Sequence, residues 1–286
     1  FNFPQSKGHY QFYSIAEDNA SNLENPPVAP DNDTRCGFNS NKPSSHVNAI
    51  TPYWTNSSPS TITGQANDFS GSGLLNVTLY YYNSTNNNTW VGPTIFGIDS
   101  DPWVSISWSF NFPNGTGYYR FYSIAVDNDS NIEDFTGNDT KCGYDTSKPT
   151  SQVDDISPYW MDELDNPLII TETDPVDDLS GIKNITLFYR YRDYNTSSWG
   201  SWVFYSIDNN PSWSWSFTFP DGNGHYQFYS ISNDTAGNQE DPPTVPDNDT
   251  DCGYKVIFIF SSDYWVQTTN SDFNNGTKNN VNVSLD

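Results

Sequence analysis

Aromatic residues alternating with small polar ones make the strongest pattern along this chain. Residues 213–219 read Trp-Ser-Trp-Ser-Phe-Thr-Phe, and Ile106, Trp108, Phe110 and Phe112 alternate with Ser105, Ser107, Ser109 and Asn111. A period of two with one apolar face predicts a half-buried β-strand with its aromatic side inward. The same logic predicts equivalent strands at 75–82 and 182–189, at 89–96 and 198–205, and at 118–126 and 225–232. Clusters of Asn, Gly, Pro and Asp punctuate them, and no stretch of ten or more residues carries helical spacing. Roughly six or seven strands per hundred residues predict an all-β fold, a two-sheet antiparallel sandwich. A ladder of Trp side chains for stacking sugars is the other reading of the alternation.

The pattern repeats with a period of about 107 residues, the size of one ordinary domain. Phe1-Asn-Phe-Pro4 returns as Phe110-Asn-Phe-Pro113 and Phe217-Thr-Phe-Pro220. Gly-(His/Tyr)-Tyr-x-Phe-Tyr-Ser-Ile follows at 8–15, 117–124 and 224–231. Thr51-Pro-Tyr-Trp54 returns as Ser157-Pro-Tyr-Trp160, and Asp68-Phe-Ser-Gly71 as Asp178-Leu-Ser-Gly181. The expected boundaries are 1–43 as the back half of a module, 44–150 and 151–254 as complete modules, and 255–286 as the front part of another. A catalytic site is usually built once and a rod many times, so the repetition argues against an enzyme.

Lys and Arg number 11 against 35 Asp and Glu, a formal charge of −24. That balance disfavours nucleic acid and anionic lipid and makes cations the natural partners. No run approaches a membrane span, and the chain opens on a repeat motif, so a mature or trimmed segment is expected. Fifteen Asn-x-Ser/Thr acceptors point to N-linked glycans on a secreted protein: Asn19, Asn32, Asn56, Asn76, Asn83, Asn87, Asn114, Asn128, Asn138, Asn184, Asn195, Asn233, Asn248, Asn275 and Asn282. Asn83, Asn87 and Asn195, in polar turn segments, are the favoured acceptors. Cys36, Cys142 and Cys252 each stand in the phrase Asp-Thr-x-Cys-Gly-(Phe/Tyr). One Cys per module leaves two readings, a buried free thiol or an intermolecular disulfide.

The run Phe-Pro-x-Gly-x-Gly-(His/Tyr)-Tyr-x-Phe-Tyr-Ser-Ile-Ala-x-Asp-Asn, the Asn-x-Glu turn, the Asp-Thr phrase and the Lys-Pro-Ser/Thr linker resemble a known architecture. It is that of tandem immunoglobulin-like or fibronectin-III-like modules of bacterial and archaeal cell-surface or extracellular filament proteins. The resemblance implies a tandem array of Ig-like sandwiches, without the intersheet Cys pair of antibody domains. In that frame Tyr-Trp falls near strand A and Asp-x-Ser-Gly forms the B–C loop. The Trp/Phe strand is E, Tyr-x-Phe-Tyr is F and the Cys lies on G. Tyr10, Tyr119 and Tyr226 then fall near the E–F corner, where a Tyr hydroxyl meets the backbone.

The three His are scattered and no nucleophile or phosphate-loop motif is present, so no catalytic constellation is expected. Calcium is the candidate ligand. Each F–G loop carries Asp-x-x-x-Asn-x-Glu: Asp18/Asn22/Glu24, Asp127/Asn131/Glu133 and Asp234/Asn238/Glu240. The B–C loops add Asp68 and the cluster Asp174, Asp177 and Asp178, at the pole facing the preceding module. Ordinary Asx-turn chemistry is the competing account. Outward-facing Tyr13/Ile15, Tyr122/Ile124 and Tyr229/Ile231 predict an apolar stripe, either an assembly face or one covered by a loop or glycan. Val256, Ile257, Phe258, Ile259 and Phe260 form an apolar run expected in an interface, where either the tail of one copy completes the split module at the head of the next or the join is covalent within a longer repetitive chain. The functional expectation is an extracellular structural rod or head-to-tail homopolymer. An adhesin or carbohydrate-binding array with surface glycans as partners is the alternative.

Overall fold

The computed structural model describes residues 1–28, 33–68, 72–244 and 247–256. The chain begins with a hairpin of β1 (Lys7–Phe12) and antiparallel β2 (Thr34–Asn39). A first sandwich follows from β3 (Ser44–Val47), β4 (Trp54–Thr55), β5 (Ser60–Asn67), β6 (Leu74–Ser84), β7 (Val91–Asp99), β8 (Ile106–Phe110), β9 (Gly117–Asp127) and β10 (Thr140–Tyr144). Its sheets run β3-β5-β8 and β4-β10-β9-β6-β7. A second sandwich uses β11 (Trp160–Met161), β12 (Leu168–Thr171), β13 (Ile182–Arg192), β14 (Val203–Asp208), β15 (Ser214–Phe217), β16 (Gly224–Asp234) and β17 (Thr250–Tyr254). Its sheets are β12-β15 and β11-β17-β16-β13-β14, and its only helical turn among the described residues is 3-10, Glu163–Asp165.

In strand letters the first sandwich packs A-B-E and the second B-E, each against A′-G-F-C-C′, an Ig-like or fibronectin-III-like arrangement. The Tyr-Trp phrase, expected near A, is the A′ segment: Trp54 runs parallel to Gly143 of strand G, and Trp160 to Gly253. Only glycine fits opposite those indoles. A Cβ on Gly143 would sit 2.1 Å from Trp54, and one on Gly253 2.3 Å from Trp160. The Cys-Gly and Tyr-Trp phrases are therefore two halves of one packing motif.

The alternating strands face inward. Trp108, Phe110, Trp213, Trp215 and Phe217 are all buried, which removes them from any sugar-stacking surface. Phe110 meets Phe121 edge to face with centroids 4.9 Å apart, and Phe217 meets Phe228 identically at 4.9 Å. At the E–F corner the Tyr119 hydroxyl donates to Gly115 O at 2.6 Å, and Tyr226 to Gly222 O at 2.7 Å. Phe112 stacks on Tyr144 and Phe219 on Tyr254, each pair 4.1 Å apart.

Two open alternatives are decided in the complete modules. Cys142 and Cys252 are free thiols inside the two cores, where a bond to another chain has no access. Burial raises both to a pKa of about 12. Cys36 is also free but exposed. The outward stripe of strand F is not open in the complete modules. Tyr122 is covered by Tyr80 at 4.8 Å and Phe135 at 4.6 Å, and Tyr229 by Phe188 at 4.9 Å and Trp202 at 4.4 Å. Val256 packs half-buried against the second core, while Ile257–Phe260 lie outside the described residues.

Candidate functional site at the module junctions

Each junction is built from the end of strand G, a Lys-Pro linker, and the B–C and F–G loops of the next module. The F–G Asp folds its own loop. Asp127 Oδ1 accepts from Asp129 N and Asn131 N, and Asp234 Oδ1 from Gly237 N and Asn238 N. Asp18 does the same for Ala20 and Asn22, and its carboxyl is held below the usual range first by the Asn22 side chain. This is the Asx-turn chemistry that competed with calcium. The loop Asn then reaches back: Asn131 Nδ2 donates to Asn39 O at 3.1 Å, and Asn238 Nδ2 to Asp145 O at 3.0 Å.

The F–G Glu is a structural clamp. Glu133 Oε1 accepts from Ser45 N, and its Oε2 from Ala125 N and the Ser45 hydroxyl. Glu240 accepts from Ser151 N, Ser151 Oγ, Ser232 N and Ser232 Oγ. These carboxylates accept donors that fix the incoming chain to strand F, and neither belongs to the carboxylate cluster at the second junction. Among the described residues Glu24 accepts from Ala16 N alone, on its Oε2, and no strand A lies beside it. A second clamp, missed in the sequence, is the Asp of Asp-Thr-x-Cys. Asp139 Oδ2 ties Val47 N to Ser123 N, and Asp249 Oδ2 ties Val153 N to Ser230 N. The invariant phrase carried that signal. The linkers add ion pairs, Lys42 to Asp134 and Lys148 to Asp241.

The two junctions diverge at one position. Asp68 accepts from Gly73 N and Ser72 Oγ, and Asp177 accepts from Gly181 N and Ser180 Oγ, so these two carboxylates are structural equivalents. At the first junction the third member is Asn39, whose Nδ2 donates to Asp127 Oδ2 at 3.0 Å and Ser72 Oγ at 3.1 Å. At the second it is Asp145, three residues after Cys142 as Asn39 is three after Cys36. Asp145, Asp177 and Asp234 bring one carboxylate oxygen each within 4.8 Å of one another. Asp145 and Asp234 are fully buried, and Asp177 Oδ1 is buried without a hydrogen-bond partner. Among the described residues both side-chain ion pairs lie in the linkers, so none of the three is paired with a cation. At that spacing each pair of like charges costs about 3 kcal/mol at an effective dielectric constant of about 20. Asp174 and Asp178 are exposed and stand outside the cluster.

The acceptor asparagines separate by environment. Asn19, Asn87, Asn114, Asn138 and Asn195 are exposed, with Asn87 and Asn195 in the C–C′ connections. Asn83, expected in a turn, lies in β6 opposite Tyr119. Asn76 and Asn184 are half-buried on strand C. Amide groups of Asn56, Asn128, Asn233 and Asn248 donate to Asn238 Oδ1, Ser72 O, Asn184 Oδ1 and Thr250 O. Asn32, Asn275 and Asn282 lie outside the described residues.

No family model and no curated protein matches the sequence. Among solved structures the chain is similar to the fibronectin(III)-like modules of Clostridium thermocellum CbhA, at 15% identity and a TM-score of 0.35, over 73% of this chain and 94% of that one. It is similar to a tetra-tandem repeat in the extending region of a large adhesion protein, at 12% identity and a TM-score of 0.29, over 87% of this chain and 56% of that one. The chicken CNTN1 FN1–FN3 domains match at 11% identity and a TM-score of 0.26, over 74% of this chain and 67% of that one.

Proposed function

We propose that this chain is a segment of an extracellular, N-glycosylated rod of Ig-like modules on a bacterial or archaeal cell surface, extended head to tail where a Tyr-Trp phrase from an adjoining module seats on the 7–39 hairpin. Support for a rod comes from the junctions. The linker ion pair, the loop Asn and the Glu clamp recur with the same partners at both, so successive modules are set by one repeated geometry. Among the described residues no helix is long and apolar enough to cross a membrane.

The observation that carries head-to-tail extension is a slot beside Gly37. In the complete modules the equivalent glycine is covered by a Trp indole, which also packs on Tyr118 at 5.2 Å or His225 at 5.4 Å. At Gly37 a Cβ would meet only His9, at 3.8 Å. The hairpin thus presents a Gly-His slot shaped for a Tyr-Trp phrase, and 255–286 contains one, Tyr264-Trp265. We take that segment of a neighbouring copy as the occupant. An adhesin has less support, because the alternating tryptophans that would stack sugars are in the cores.

The intact chain should form concentration-dependent linear polymers by light scattering and electron microscopy. Gly37→Ala should abolish them without lowering the melting temperature, since the new methyl group has room in the isolated chain. Polymers of unchanged yield in Gly37→Ala and in a chain lacking 257–286 would refute strand sharing. Monodisperse chains retained on a polysaccharide matrix would favour the adhesin. Intact mass of native protein equal to the bare 32.3 kDa chain would exclude the glycoprotein reading.

A further inference from the structure

We infer that the second junction is locked by a calcium ion held between modules by Asp145, Asp177 and Asp234, and that at the first junction the Asn39 amide does the same work without an ion. The argument starts from the matched positions. At the first junction Asn39 Nδ2 points two N–H groups at the oxygens of Asp127 and Ser72, so a positive partial charge occupies the centre of the site. Asp127 Oδ2 thereby receives two donors, from Asn39 and Asn131. At the second junction Asp145 replaces that donor with an acceptor, whose Oδ1 takes the Ser147 N–H at 3.0 Å and whose Oδ2 takes the Ser180 N–H of the B–C loop at 3.0 Å. Asp234 Oδ2 keeps the donor from Asn238, and Asp177 Oδ1 is left buried and unpaired.

Three carboxylates crowded within 4.8 Å, two of them fully buried, call for a central positive charge. Their hard, anionic oxygens come from three separate segments: the end of strand G, the B–C loop and the F–G loop. Calcium tolerates irregular sets of six to eight such oxygens, whereas magnesium demands a compact octahedron and holds its waters tightly. Asp145 belongs to the preceding module and the other two to the following one, so the ion ties one to the other. Its loss would loosen this junction and leave the Asn39 junction unchanged. The site does not depend on strand sharing, because it lies wholly inside one chain.

The test is calcium titration of the full chain by calorimetry, with thermal unfolding in parallel. The unmodified chain should bind one calcium tightly enough to exclude equimolar magnesium, with its melting temperature rising by several degrees at saturation. Asp145→Asn rebuilds the first junction at the second; it should bind no calcium at this level, lose the thermal shift and remain folded in chelator. Asn39→Asp should create a second site of the same kind, giving two ions per chain. Unchanged stoichiometry in Asp145→Asn, or magnesium binding equal to calcium, would overturn the assignment. A single site in Asn39→Asp would overturn the equivalence of amide and ion.

Discussion

The hairpin at residues 7–39 and its counterparts in the two complete modules share nearly the same sequence and differ in almost every measure of burial. Tyr13 is 55% exposed, while Tyr122 and Tyr229 are each 7% exposed. Cys36 is exposed where Cys142 and Cys252 are buried, and the Gly37 slot is open where Gly143 and Gly253 carry a Trp. The motif sets the strand pairing: Tyr10 faces Cys36 across the ladder as Tyr119 faces Cys142 and Tyr226 faces Cys252. Burial is conferred by strands C, A and A′, and those are distant in sequence. A local phrase specifies a hairpin, and only its neighbours make that hairpin part of a core.

The sharpest way to break this comparison is thiol chemistry. In monomeric native chain a thiol-alkylating reagent should modify Cys36 and leave Cys142 and Cys252 untouched, because burial both shields these thiols and holds their pKa near 12. Mass spectrometry after alkylation checks this, and labelling of all three at similar rates would contradict the cores described above. Next in size are the Glu clamps. Glu133→Ala and Glu240→Ala each strand several buried donors and should cost roughly 3 kcal/mol in urea unfolding. Glu24→Ala, with one donor and no strand A among the described residues, should cost well under half as much.

Glu172 sharpens the contrast between the two complete modules. It occupies the place of Gly64, since Ile170 and Ile62 hold matching positions opposite Trp215 and Trp108. Burial, reinforced by Asp154 and Asp249, raises its pKa from 4.5 to about 7 against the Gln152 N–H that opposes it. A folded pKa above the unfolded one means that proton uptake favours folding. That stability is present in full below about pH 4.5 and is lost as pH rises through about 7. Asp249, raised chiefly by burial, acts with the same sign. Glu172→Gln should stabilise the second sandwich by roughly 2 kcal/mol at pH 8 and by little at pH 4.5, measured by thermal unfolding at both. The smallest effect is at the E–F corner. Tyr119→Phe and Tyr226→Phe should each cost about 1 kcal/mol, by loss of one hydrogen bond to a backbone carbonyl.

Much of the sandwich was legible in the chain. Period-two alternation identified strands C, E and F to within a few residues, because a strand with one face in a core and one in water must alternate. Strand B was not legible. Ser60–Asn67 reads Ser-Thr-Ile-Thr-Gly-Gln-Ala-Asn, too polar to stand out, and only Ile62 is fully buried. Of the candidate calcium residues, the loop carboxylates Asp127, Asp177 and Asp234 were visible as a pattern. Glu133 and Glu240 looked like ligands because spacing records where a carboxylate lies and not which donors already fill it.

By itself the sequence determined the repeat, the all-β fold and the pole at which the acidic loops gather, since each follows from local periodicity and turn chemistry. Only the tertiary structure decided what those groups touch. It brought Asp145 of one module against Asp177 and Asp234 of the next, spent the Glu side chains on Ser45 and Ser151, and set Trp54 on Gly143. Each of these contacts joins segments far apart in the chain. Which segments meet is fixed by the packing of two sheets around one core, a condition that no local pattern records.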